Sequence, residues 1–215
     1  MIDLHTHTLL SDGELLPTEL ARRAQEKGYK VIGITDHVDS SNIDFVIPGV
    51  IAACSDINKN WKIKAIPGVE ITHMPIELIK DTVKFVRSIG IKLILVHGET
   101  IVEPVIKGTN KAALLSDINI LTHPGLISLE DALLAAARNI YLEITGRKGH
   151  SLTNGHVVKI AKMAGAKLIL NTDSHTPENL ITKDEAEKIL SGAGLDKKEI
   201  QQVFKNSEEL VVRIT

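Results

Sequence analysis

Residues 2–7, IDLHTH, form a short apolar run that ends in two histidines. Residues 167–175, KLILNTDSH, repeat this pattern near the other end of the chain. Between them lie more runs that are rich in valine, isoleucine and leucine. The seven runs are Ile2–His7, Val31–His37, Ile63–Glu70, Lys92–His97, Ile118–His123, Ile140–Ile144 and Lys167–His175. Because parallel strands covered on both faces have such runs with little polar alternation, the pattern predicts a parallel sheet.

Helix signals separate these runs. Pro17 has a first-turn position, and Gly28 stands where the first helix should end. Capping pairs are expected at Ser128 with Asp131, Thr182 with Glu185, and Asp196 with Glu199. Repeated strand–helix alternation indicates parallel strands with right-handed crossovers, and hence a barrel or a doubly wound sheet. No glycine-rich phosphate loop follows the first strand, which favours the barrel among these α/β folds.

Composition limits the kind of protein. With 215 residues and no linker-like segment, residues 1–215 are predicted to form a single domain. No apolar run is long enough to span a bilayer, and the first residues lack the features of a signal peptide. Cys54 is the only cysteine, which excludes an internal disulfide, and we expect a cytoplasmic protein. A net charge of −2 makes nucleic acid an unlikely main partner.

The ends of the apolar runs carry residues suited to chemistry. Six of the nine histidines lie there, whereas histidines placed by ordinary core or surface needs would be scattered along the chain. In a β/α barrel the carboxyl ends of all strands point to one mouth, where active sites lie. Histidines and carboxylates that are distant in sequence are therefore predicted to meet in one pocket.

These residue types predict a centre with several metal ions. His5 and His7 are two apart on a strand and share a face, and so do Asp173 and His175. The predicted ligands are His5, His7, Asp12, His37, Glu70, His97, His123, Asp173 and His175. Imidazole and carboxylate ligands without thiolate suit zinc, manganese or iron, and one tetrahedral ion uses only about four ligands. We therefore expect two or three divalent ions, with Glu70 as a bridge.

Further residues near the mouth receive predicted roles. Asp36 is expected to orient a ligand or a water molecule rather than to bind a metal directly. The segment after the sixth run contains Arg147, Lys148 and His150, which are predicted to bind the substrate. Arg147 could clamp a phosphate through bidentate hydrogen bonds. A solvated loop is the alternative interpretation of this segment.

The motifs resemble those of a known family. They are His5-x-His7 with Asp12-Gly13, Thr35-Asp36-His37, Gly68-Val69-Glu70, His97, His123-Pro124 and Asp173-Ser174-His175. In this order, over most of the chain, they look like the polymerase and histidinol phosphatase (PHP) family. The resemblance implies a distorted TIM-like (β/α)7 barrel with a trinuclear site. It would place His5, His7, Glu70 and Asp173 around one ion, Glu70, His97 and His123 around the second, and Asp12, His37 and His175 around the third.

Together these features predict a metal-dependent phosphoester hydrolase. The leading hypothesis is a phosphomonoesterase that resembles histidinol-phosphate phosphatase and acts on a small phosphorylated substrate. A hydroxide that bridges the two inner metals would attack phosphorus, while the third metal and Arg147 neutralise the phosphoryl oxygens. The predicted catalytic residues are Glu70, Asp36 and Arg147.

Three alternative functions fit the same sequence less well. A nuclease or nucleotide phosphodiesterase could use the same metal chemistry, but only 3% of the residues are aromatic and no basic run is present. An amidohydrolase can also begin with His-x-His, but that class commonly adds a lysine ligand where this chain has Glu70 and histidines. A non-catalytic metal-binding scaffold should have lost some ligands, and this set is complete. The sequence predicts no oligomeric state.

Overall fold

Every apolar run contains a strand in the computed structural model, which describes all 215 residues. The strands are β1 (Ile2–Asp3), β2 (Val31–Ile34), β3 (His37–Val38), β4 (Lys64–Ile71), β5 (Leu93–His97), β6 (Ile120–Thr122), β7 (Tyr141–Thr145) and β8 (Leu168–Asn171). The helices are α1 (Pro17–Glu26), α2 (Ile43–Asn60), α3 (Ile76–Ser88), α4 (Thr109–Leu114), α5 (Leu129–Ala137), α6 (Asn154–Ala164), α7 (Lys183–Gly192) and α8 (Lys197–Ile214). None of these helices is both long and apolar enough to cross a membrane.

The strands are parallel and pair in the order β1-β2-β4-β5-β6-β7-β8, while β3 also pairs with β4. The second apolar run contains two strands because it lies beside two parts of β4. Strand β2 pairs with residues 64–67, whereas β3 begins at His37, which lies opposite Glu70. Strands β2 and β3 thus occupy one position in the barrel. The predicted distorted (β/α)7 barrel is confirmed.

Irregular contacts nearly close the barrel between its first and last strands. Thr6 and Ser174 form an isolated parallel bridge beyond the ends of β1 and β8. The backbone N–H of His7 donates to the carbonyl of Ser174 at 2.9 Å. Closer to the strands, the side-chain oxygen of Asn171 accepts a hydrogen bond from the backbone N–H of Leu4 at 2.9 Å. These contacts hold the first pair of predicted ligands, His5 and His7, beside the last pair, Asp173 and His175.

The residues that the sequence indicates as helix starts and as the end of the first helix have those positions in the structure. Pro17 is the first residue of α1, and Gly28 follows its end with a φ of 85°. The three predicted capping pairs, Ser128 with Asp131, Thr182 with Glu185, and Asp196 with Glu199, all form at the starts of α5, α7 and α8. Side-chain oxygens there accept backbone N–H groups that the first helical turn leaves free. The predicted helix starts are therefore confirmed.

Two apolar cores lie on the two faces of the sheet. The larger contains 47 buried residues from strands and helices, and the smaller contains 11. The smaller core combines one face of the strands with Leu210, Val211 and Ile214 of α8. Helix α8 therefore covers the end of the barrel opposite the mouth, which leaves the mouth free for polar side chains.

Strand periodicity explains why the mouth is polar. Leu93 and Leu95 of β5 belong to the smaller core, and His97, two residues further on, shares their face. In the same way Ile169 of β8 belongs to this core, and Asp173 follows four residues later. The same face of a strand is thus apolar deep in the barrel and carries a possible metal ligand at its carboxyl end.

Candidate metal centre and active site

The carboxyl ends of the strands surround a cavity of about 420 Å³. Sixteen residues line it, and only Val38 among them is hydrophobic. The predicted ligands in this lining are Asp12, His37, His97, His123, Asp173 and His175. The remaining three, His5, His7 and Glu70, are fully buried and contact lining residues. The structure therefore brings all nine predicted ligands together.

An inner cluster consists of three imidazoles and two carboxylates. The Nε2 atom of His5 lies 3.3 Å from Oε1 of Glu70 and 3.5 Å from Oδ1 of Asp173. The Nε2 atom of His7 lies 3.2 Å from that Asp173 oxygen and 3.7 Å from the other Glu70 oxygen. The Nε2 atom of His123 is 3.7 Å from Glu70 and 3.6 Å from Asp173. Each carboxylate thus faces all three rings.

Five buried side-chain atoms of this inner cluster have no hydrogen-bond partner: Nε2 of His5, both ring nitrogens of His7, Nδ1 of His123 and Oδ1 of Asp173. Buried polar atoms are normally paired, and each unpaired one costs about 1–3 kcal/mol. Two ligands of one tetrahedral ion lie about 3.3 Å apart when their bonds to the ion are near 2.0 Å. The distances in the cluster, 3.2–3.7 Å, are close to that value. The residues present therefore fit divalent metal ions.

A second cluster, nearer to solvent, contains Asp12, His37 and His175. Oδ1 of Asp12 lies 3.2 Å from Nε2 of His175 and 3.5 Å from Nε2 of His37. The two imidazole nitrogens are 3.4 Å apart, so the three atoms form a nearly equilateral triangle. The ring of His7 stacks on both imidazoles, with centroid distances of 4.0 and 4.1 Å. This triangle also has the dimensions of ligands around one ion.

Glu70 lies between the two clusters. Its Oε1 faces His5 and accepts a hydrogen bond from the hydroxyl of Thr122 at 2.5 Å. Its Oε2 lies 2.8 Å from Nδ1 of His37, on the side of the second cluster. Glu70 thus belongs to the inner cluster and contacts the second one through Nδ1 of His37, the ring nitrogen opposite the one that faces Asp12 and His175.

His97 has partners that differ from the expected ones. Its Nε2 lies 3.0 Å from Oε2 of Glu103, and the same oxygen lies 3.2 Å from Nε2 of His73. The ligand atom of His97 lies within 4.8 Å of those of His73 and Glu103. The ligand atom of His123 lies equally close to those of His5 and Asp173. Glu103 is a residue that the sequence did not indicate, because it lies in a loop, six residues beyond the end of β5, and belongs to no motif.

Known proteins resemble this chain in sequence. The PHP domain family matches residues 3–95. The uncharacterized protein MJ1295 of Methanocaldococcus jannaschii is 45% identical over 215 residues, which are 99% of each chain. The chain belongs to the PHP family. A probable phosphatase of Shewanella pealeana is 27% identical to this PHP protein over 241 aligned positions, 99% of this chain and 91% of the relative.

Solved structures share the fold of this PHP protein. A chain of the archaeal ribonuclease P complex with mature tRNA has a TM-score of 0.77 at 18% identity, covering 100% of this chain and 91% of its own. The histidinol phosphatase candidate hisK of Listeria monocytogenes has a TM-score of 0.62 at 13% identity, covering 86% of this chain and 99% of its own. At these identities the likeness is one of fold alone.

Glu143 orients two rings of the inner cluster. Its Oε1 accepts hydrogen bonds from Nδ1 of His5 and from the side-chain amide of Asn171, both at 2.8 Å. Its Oε2 accepts the backbone N–H of His123 at 3.0 Å. In the neutral ring, which is the form that binds a metal ion, this hydrogen bond keeps the proton on Nδ1, and the lone pair on Nε2 points into the cluster.

Asp36 shapes the loop that carries Asp12 and does not line the cavity. Its Oδ1 accepts the backbone N–H of Thr8 and the hydroxyl of Ser11, both at 2.7 Å. Its Oδ2 accepts the hydroxyl of Thr8 at 2.8 Å. These bonds support the predicted orienting role of Asp36. The group that Asp36 orients is the loop, and not the ring of a metal-binding histidine.

Burial and neighbouring charges shift the pKa values of the ligands in different directions. Burial, followed by the neighbouring imidazoles, lowers the pKa values of His7 and His123 well below the usual value. Metal ions bind the neutral imidazole, so both rings are in the binding form at neutral pH. Burial opposes ionisation of Glu70, but His5 and His37 hold the pKa of this carboxyl well below its usual range.

Other groups show the opposite shifts. Burial lowers the pKa of His5, but the carboxylates of Glu143, Glu70 and Asp173 outweigh it and raise the pKa well above the usual value. Burial raises the pKa of Asp173, and it also raises the pKa of Asp36 against the hydrogen bonds that this carboxyl accepts. The nearby carboxylate of Glu70 also raises the pKa of Asp173, and a divalent ion held between these two carboxylates would offset the cost of ionising both.

Left-handed backbone conformations are concentrated around the centre. Only four residues other than glycine have a positive φ, and three of them are His73 (49°), His123 (24°) and Asp173 (53°). Such conformations cost about 1–3 kcal/mol for most residues and occur preferentially at functional sites. At His123 and Asp173 the backbone turns sharply after β6 and β8, which brings both side chains into the inner cluster.

Two of the three predicted substrate-binding residues reach the cavity. Nε of Arg147 lies 3.5 Å from Oδ2 of Asp173, and its guanidinium donates to the backbone carbonyl of Asp173 at 3.1 Å and contacts His175. His150 is buried and also lines the cavity. Lys148 is exposed and does not belong to the lining, so this geometry lends no support to a substrate contact by Lys148.

Proposed function

We propose that this PHP protein is a metal-dependent phosphomonoesterase, similar to histidinol-phosphate phosphatase, that acts on a small phosphorylated molecule in the cytoplasm. Membership of the PHP family and a relative named as a probable phosphatase make phosphoester hydrolysis the chemistry of the chain. The observation that carries the proposal is the convergence of nine imidazole and carboxylate ligands, five of whose buried atoms are unpaired, beneath a polar cavity with an arginine.

Two groups of side chains would hold the metal ions. The inner group combines two overlapping sets, His5 with His7 and Glu70, and His5 with His123 and Asp173. The second group is Asp12, His37 and His175, and His7 is close enough to share an ion with it. When bound, two or three zinc, manganese or iron ions would supply a nucleophile at neutral pH and neutralise charge on the phosphoryl oxygens. Glu70 would bind in the inner group and would also hold the ring of His37, a member of the second group, through its Oε2.

The chain itself contributes orientation and positive charge. Arg147 places a guanidinium beside Asp173 and His175 at the cavity wall, where it can bind phosphoryl oxygens. Glu143 keeps the proton of His5 on Nδ1 and so keeps Nε2 free for a metal ion. Asp36 holds the loop that carries Asp12. All three side chains are already in position before the reaction begins, so little reorganisation is needed during phosphoryl transfer.

The shape and lining of the cavity favour a small monoester over a nucleic acid. A volume of about 420 Å³ lies within the range of about 300–1,000 Å³ that small-molecule sites occupy. Its lining contains no phenylalanine, tyrosine or tryptophan on which a base could stack, and Arg147 is its only arginine or lysine. We therefore expect substrates with a polar, compact leaving group.

The test is a comparison of phosphate release before and after metal removal. The purified protein is treated with a chelator, reloaded separately with zinc, manganese or iron, and assayed on histidinol phosphate, sugar phosphates and nucleoside monophosphates. A phosphodiester and a single-stranded oligonucleotide are assayed in parallel. We expect release from at least one monoester, loss of that activity in the metal-free protein and in Asp173→Asn, and full activity in the surface control Glu130→Gln. Faster cleavage of the diesters, or release that survives metal removal, would overturn the proposal.

A further inference from the structure

A basic pocket lies at the end of the barrel opposite the metal centre, beside the amino ends of β5, β6 and β7. Its volume is about 340 Å³, and nine residues line it. One of them, Asp117, is acidic, and four are basic: Arg87, Lys92, Arg138 and Arg213. The cavity at the mouth, in contrast, is lined by four carboxylates and a single arginine. The two cavities thus differ in charge, and the basic pocket takes no part in the chemistry proposed above.

Arg87 has a structural role in this pocket. Its guanidinium donates to the side chains of Asp117 and Asn119 at 3.1 and 2.9 Å, and to the backbone carbonyl of Lys92 at 2.6 Å. All three of its nitrogens therefore have acceptors within the protein. The side chain of Asp117 is 80% exposed, and water weakens ion pairs that face solvent. Asp117 thus offsets only part of the positive charge of the pocket.

Arg138 and Arg213 have donors that the protein leaves free. One nitrogen of Arg138 donates to the backbone carbonyl of Ser116, and one nitrogen of Arg213 donates to that of Asn139, both at 3.3 Å. Neither arginine has a carboxylate partner, and a guanidinium has five N–H donors. The guanidinium carbon of Arg213 lies 5.5 Å from the centroid of the Tyr141 ring, a cation–π contact that favours this position. Most donors of the two arginines are therefore available to a ligand.

The positive charges of the pocket repel one another. Burial lowers the pKa of Arg87 against the ion pair with Asp117, and the neighbouring charge of Arg213 lowers it further. Lys92 lines the same pocket and adds an ammonium group that has no carboxylate partner. Because like charges at close range destabilise each other, an anion bound among these side chains would offset the repulsion.

We propose that the basic pocket binds a small anion that bears a phosphate group, through Arg138, Arg213 and Lys92. Guanidinium groups match phosphate oxygens and form paired hydrogen bonds with them. A volume of about 340 Å³ lies within the range of about 300–1,000 Å³ for small-molecule sites. A nucleic-acid backbone carries the same group, but the lining has no aromatic side chain for base stacking, which favours a small ligand. A ligand at this end of the barrel leaves the mouth open, so both sites can be occupied together.

The test measures pyrophosphate binding by calorimetry in metal-free protein that carries Arg147→Gln. Metal removal and this substitution together suppress binding at the mouth. The ionic strength is kept at about 0.15 M, where charges more than about 8 Å apart are largely screened. In this background, Arg138→Gln and Arg213→Gln are the pocket variants. The matched control is Arg22→Gln, which changes an exposed arginine paired with Glu26. Urea unfolding of each variant checks that it is folded.

We expect the background protein and the control to bind one pyrophosphate per chain, and each pocket variant to bind it at least tenfold more weakly. Absence of binding in the folded background protein, or equal affinities in all variants, would overturn the proposal. A short single-stranded oligonucleotide is titrated in parallel. If it binds more tightly than pyrophosphate and loses affinity in the pocket variants, the small ligand is wrong and the pocket belongs to a nucleic-acid surface. Phosphate release is not measured, so the basic pocket and the phosphatase proposal can fail independently.

Discussion

Replacing Glu143 by glutamine tests whether His5 binds a metal ion in the orientation that the structure shows. Glu143 is fully buried, and its two oxygens accept three hydrogen bonds, from His5, Asn171 and the backbone of His123. Glutamine has the same size but offers one oxygen and one amide group. In either orientation, the amide N–H group of the glutamine replaces an oxygen that accepted a hydrogen bond. At least one of the three donors around residue 143 is then left without an acceptor.

The expected magnitude follows from these three bonds. Loss of one buried hydrogen bond to a charged acceptor costs about 1.5–3 kcal/mol, which should appear as a lower free energy of unfolding of the metal-free protein. The proton of His5 can also move to Nε2, which removes the lone pair that faces Glu70 and Asp173. Loss of a group that orients a metal-binding histidine typically lowers metal affinity 10–100-fold, or about 1.4–2.7 kcal/mol.

The assay is a competition titration of the metal-free protein with zinc and a chelator of known affinity, together with chemical unfolding. We expect Glu143→Gln to weaken the tightest zinc site 10–100-fold and to leave the cluster of Asp12, His37 and His175 within about twofold of wild type. Glu130→Gln, an exposed glutamate paired with Lys111, is the matched control. A tightest zinc site that is unchanged in Glu143→Gln would refute the assignment of His5 as an oriented ligand.

Two further predictions concern stability and reactivity. A Cβ atom at Gly125 would lie 1.8 Å from the carbonyl oxygen of Glu99, whereas one at Gly165 has nothing within 4 Å, although both residues have a positive φ. We therefore expect Gly125→Ala to lower the free energy of unfolding by about 1–3 kcal/mol more than Gly165→Ala in urea titrations; equal losses would contradict the steric argument. Burial raises the pKa of Cys54 to about 12, so its thiol stays protonated in the folded protein as the pH rises from 7 to 9. A disulfide reagent should label it only in denaturant, and rapid labelling of the folded protein would show that the site is open.

Much of the fold was predictable because the determining features are local. Apolar runs of five to nine residues specify strands through side-chain contacts along a few successive residues, and the capping pairs act within one helical turn. The irregularities were not predictable in this way. The second run divides into β2 and β3 because β4 is long enough to pair with both, and this requires knowledge of the neighbouring strand.

The same distinction applies to the candidate site. Ligands at strand ends, such as His5, Glu70 and Asp173, could be named from the sequence because every strand of a parallel barrel delivers its carboxyl end to one mouth. Glu103 could not, because a loop residue reaches the cavity only through the path of the loop. Lys148 shows the converse, since it is near the mouth in sequence but has an exposed side chain outside the cavity lining.

By itself, then, the order of residues determined a parallel β/α barrel, the types of side chain at its mouth and their family. These depend on strand periodicity and on spacing along the chain, which act over a few residues. Only the tertiary structure decided which ring nitrogen faces which carboxylate, and hence that His97 pairs with Glu103 rather than with Glu70. Metal binding requires distances between ligand atoms that are accurate to a few tenths of an ångström, although the residues lie up to 168 positions apart in the chain. Only the packing of loops and strand ends determines distances on that scale.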